Sequence, residues 1–94
     1  MLDVQAIPAF DDNYIWLLRE SGGRACAVVD PGDEQPVLDV LQQQDLQLTT
    51  ILITHKHYDH VGGISALQQQ FPDVVVYGPA HETIAGIDVR LHDI

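Results

Sequence analysis

Ile51-Leu52-Ile53-Thr54-His55-Lys56-His57-Tyr58-Asp59-His60-Val61-Gly62-Gly63 joins a continuous apolar run to a glycine pair, through a segment holding three of the chain's five histidines and an aspartate. In an extended chain residues i and i+2 share a face, so His55 and His57 can aim both imidazoles at one ion. Asp59 and His60 are adjacent and follow the point where the chain begins to turn, so they face a second position nearby. One loop can therefore serve two metals. Imidazole and carboxylate without a neighbouring Cys suit a borderline cation and argue against a structural thiolate site: zinc first, with iron or manganese as alternatives. Zinc held by nitrogen and oxygen with an open position lowers the pKa of bound water to about 7, which points to catalysis. Isolated histidines are usually surface or core residues. Four ligand-type residues at alternating and then adjacent spacing are much harder to obtain by chance.

The elements on either side of this segment place it. Leu2 to Ile7, Tyr14 to Leu18 and Ala25 to Val29 are short apolar runs separated by turn residues, and they predict three strands in hairpin order. Asp30-Pro31-Gly32-Asp33 is a turn, after which Val37, Leu38, Val40 and Leu41 recur at helical spacing, with Pro36 tolerable only in the first turn. A helix of roughly ten residues is expected there. Ile51 to Ile53 reads as a strand buried on both faces. Ile64, Leu67 and Phe71 mark a second helix, and Val74 to Tyr77 a further strand. Three strands, helix, strand, helix, strand give an α/β chain with a mixed sheet and two helices packed on it.

That order gives further residues a role. Asp30, at the carboxyl end of the third strand, either accepts a hydrogen bond that orients the ligand loop or simply forms the turn before Pro31. Gly62 and Gly63 either let backbone approach the ions and offer helix N–H groups to an anion, or make a plain turn. Tyr14 and Trp16 are expected to serve core or sheet packing. His81 reads as a loop residue, and His92 lies in a fraying terminus.

Composition narrows the function. With 14 acidic residues against 4 Lys and Arg the formal charge is −10, which disfavours nucleic acid and anionic membranes, because phosphate neutralisation needs clustered cations. The charge also repels an anionic substrate, unless bound divalent ions offset it locally. The single Cys26 has no internal partner, and its apolar setting predicts a buried strand position in a reducing cytoplasm. No basic-then-apolar leader opens the chain, and no run approaches about 18 apolar residues, so neither secretion nor a membrane span is expected.

Thr54-His55-x-His57-x-Asp59-His60-x-Gly62-Gly63 resembles the signature of the metallo-β-lactamase superfamily at every fixed position. Ala6 to Trp16, Val29-Asp30-Pro31-Gly32 and Val76-Tyr77-Gly78-Pro79 are further similar to the N-terminal part of the glyoxalase II (hydroxyacylglutathione hydrolase) family. The resemblance implies an αββα sandwich, of which residues 1–94 are about the first half and the N-terminal part of a single domain. It implies a thioesterase with two divalent metals that hydrolyses S-D-lactoylglutathione to glutathione and D-lactate. His55 and His57 would bind one ion and Asp59 and His60 the other, Asp59 counting as catalytic, while a bridging hydroxide attacks the carbonyl. The remaining ligands, the bridging carboxylate and the basic glutathione pocket of that family have no match here, so these 94 residues alone are expected to be inactive. An apolar sheet face without its cover would also favour self-association. Two rivals stand: another hydrolase of the superfamily, such as a lactonase or a different thioesterase, and a metal-binding fragment without catalysis.

Overall fold

The computed structural model describes residues 2–10, 13–54, 61–80, 84 and 86–91. The six ligand-segment positions 55–60, and with them His55, His57, Asp59 and His60, lie outside those residues, as do His81 and His92. Strands β1 (Leu2–Ala9), β2 (Asn13–Glu20) and β3 (Ala25–Val29) are followed by helix α1 (Glu34–Gln44) and strand β4 (Gln47–Leu52). Helix α2 (Ile64–Gln70), strand β5 (Val75–Pro79) and strand β6 (Val89–Leu91) complete the described elements. They form one six-stranded sheet in sequential order. The first three strands run as antiparallel hairpins, whereas β3 to β6 pair in parallel. Parallel neighbours need a crossover, and α1 and α2 supply the first two.

Alternation along the strands sorts the side chains onto two unlike faces. Ile15, Leu17, Val28, Ile51 and Val76 are fully or almost fully buried; the register carries Leu17, Val28, Ile51 and Val76 across the sheet as one row, and Ile15 shares their face two residues along β2. Val37 and Leu41 of α1 and Ile64 and Leu67 of α2 join the same cluster, so both helices cover this face. The opposite face carries Val4, Trp16 and Leu18, continuing through Ala27, Val29, Leu52 and Tyr77. No described helix covers it, and Val4 is 59% and Trp16 44% exposed. Of the expected core or sheet packing, Tyr14 and Trp16 show the second, and they are not core residues among the described residues. They pack against each other on the open face, ring centroids 6.2 Å apart.

Local chemistry accounts for the boundaries. Asp33 caps α1 by accepting the Gln35 N–H at 3.1 Å, and Pro36 falls in the first turn, where its missing N–H goes unnoticed. Asp45 ends the helix in the left-handed conformation at φ 54°, and Leu46 N–H returns to the Leu41 carbonyl at 2.9 Å. Strand β4 starts earlier than the apolar run alone predicts. The register shifts where Cys26 faces Leu48 and Ala27 faces Thr50, and this lets both Leu48 and Ile51 reach the core despite their odd spacing. Phe71 caps α2 rather than continuing it. Strand β6 was not predicted, being three residues long with mostly exposed side chains. Among the described residues no helix is long and apolar enough to cross a membrane.

Candidate metal centre

The carboxyl end of β3 and the two ends of the ligand segment meet at one place. Asp30, only 8% exposed, follows β3 directly. Its N–H extends the sheet ladder to the Leu52 carbonyl at 2.8 Å. Its carboxylate accepts from Thr54 twice: the backbone N–H reaches Oδ1 at 2.7 Å and the hydroxyl donates to Oδ2. A buried carboxylate needs such donors, and here they belong to the residue that opens the segment 55–60.

The far end of the segment returns to the same turn. Gly63 donates its N–H to the Pro31 carbonyl at 2.8 Å. A Cβ on Gly63 would lie 2.7 Å from that oxygen and 2.8 Å from the Glu34 nitrogen, closer than side chains tolerate. Glycine is thus required by contact between two backbones. Of the two readings open for the pair, the turn is the one that Gly63 follows, because its N–H is given to Pro31. Thr54 received no role of its own from the sequence. The only available hint was its hydroxyl at the end of an apolar strand, next to the first histidine.

The donor set His55, His57, Asp59 and His60 fits divalent zinc, iron or manganese by its chemistry, being imidazole and carboxylate without thiolate. Among the described residues no three His, Cys, Asp or Glu side chains cluster as an alternative metal site. Cys26 is buried in the core and free of any disulfide.

A mixed sheet, antiparallel in β1 to β3 and parallel from β3 to β6, with a histidine-rich sequence following β4, indicates the class. Residues 9–90 match the model of the metallo-beta-lactamase superfamily, and the chain belongs to that superfamily. It is 57% identical over 93 residues to a hydroxyacylglutathione hydrolase of Photobacterium profundum, covering 99% of this chain and 36% of that protein. A hydroxyacylglutathione hydrolase of Vibrio parahaemolyticus is 58% identical over the same share of each chain. The chain therefore spans about a third of the length of the curated relatives it matches. Among solved structures, ETHE1 from Myxococcus xanthus superposes with a TM-score of 0.76 at 26% identity, covering 95% of this chain and 40% of that one. The BLEG-1 B3 metallo-beta-lactamase gives 0.70 at 28% identity over 82% of this chain and 36% of its own. The mixed sheet with helices on one face is thus part of the metallo-β-lactamase fold.

Proposed function

We propose that this chain is the N-terminal part of a single metallo-β-lactamase-like domain in a metal-dependent thioester hydrolase acting on 2-hydroxyacyl glutathione, with S-D-lactoylglutathione as substrate. The observation that carries the reading is the 57% identity to a hydroxyacylglutathione hydrolase across 99% of the chain. Such identity spans the ligand segment and the elements that frame it. His55 and His57 hold one divalent ion, Asp59 and His60 a second, and Asp30 orients their loop through Thr54. When bound, the ions acidify water and polarise the thioester carbonyl. Zinc suits the donor set best, with iron and manganese as alternatives. Asp59 contributes directly to catalysis by keeping a carboxylate beside the reacting atoms. The partner is a small glutathione thioester, with no part for nucleic acid or membrane. A cytoplasmic location agrees with the free Cys26 thiol.

For residues 1–94 by themselves, a second reading is favoured by the 36% coverage of the relative: metal binding without turnover. Calorimetry with zinc on the wild type and His57→Ala tests the ligand assignment, and binding indifferent to the substitution would reject it. Thioester hydrolysis is then followed at fixed zinc for residues 1–94, for the full-length natural protein and for its Asp59→Ala form. We expect turnover in the full-length protein, a strong loss in Asp59→Ala, and none above free zinc for residues 1–94. A fully active Asp59→Ala protein would refute the role given to that carboxylate.

A further inference from the structure

We draw no further inference here: the strongest candidate, the groove between α1 and the end of α2 lined by Leu38, Leu41, Leu46 and Phe71, has both of its carboxylates already engaged, Asp39 by Gln35 and Asp45 by Arg24, and nothing in the structure shows what covers it.

Discussion

Asp30 adopts φ 53°, a region that residues with a Cβ enter only when their surroundings hold them there. The surroundings here are the sheet hydrogen bond to Leu52 and the two hydrogen bonds that Thr54 donates to the carboxylate. From sequence, a turn-forming aspartate and a loop-orienting one looked alike, because Thr54 is 24 residues away and nothing local connects them. Cys26 was the easier case, since an apolar neighbourhood at strand spacing already implies burial, and it is 3% exposed. Burial pushes its thiol up from 9.0 to about 11, with the nearby Arg19 pulling the other way. Below pH 9 the thiol keeps its proton in both folded and unfolded chains, so it leaves stability unchanged there. Between about pH 9 and 11 only the unfolded chain ionises, and stability should fall by roughly 2–3 kcal/mol. Denaturant midpoints across that range should decline less steeply in Cys26→Ala than in the wild type. Parallel declines would show that other groups cause the loss.

At the scale of elements, helix α1 was legible because Val37, Leu38, Val40 and Leu41 keep helical spacing, whereas Asp33, read as part of a turn, proved to be its cap. Its end is less regular. Asp45 occupies the left-handed position normally given to glycine and is fastened by Arg24, whose guanidinium reaches the Asp45 carboxylate at 3.0 Å and its carbonyl at 3.2 Å. Both side chains are largely exposed, so that ion pair stabilises little. Relieving the left-handed backbone should outweigh its loss: Asp45→Gly is expected to raise unfolding stability by about 0.5–1 kcal/mol. Chemical denaturation checks this, and a lower midpoint would mean that Arg24 holds the turn more firmly than exposure suggests. Strand β4 was only half legible. Its apolar end, Ile51 to Ile53, announces itself, but the shifted register beside Cys26 hides Leu48 from any search for strict alternation.

For the whole molecule, the two sheet faces have different fates. One is closed by α1 and α2; the other presents Val4, Tyr14 and Trp16 to solvent. Residues 1–94 alone are expected to bind hydrophobic dyes and to self-associate through this face. Trp16→Lys should suppress both effects with little loss of stability, as read by light scattering and dye fluorescence. A dye-excluding wild-type monomer would show that the face is quiet on its own. By itself the sequence determined the helices and most strands and put forward the candidate ligand residues, because spacing within a few residues encodes which side chains share a face. It also carried the family likeness, through a run of fixed residues around the histidines. Only the tertiary structure decided that Asp30 and Pro31 hold the two ends of that run. It alone assigned Gly63 to backbone contact and left the tyrosine and tryptophan on the open side. Those outcomes depend on which strands lie side by side, and adjacency in a sheet is set by long-range packing that no local pattern records.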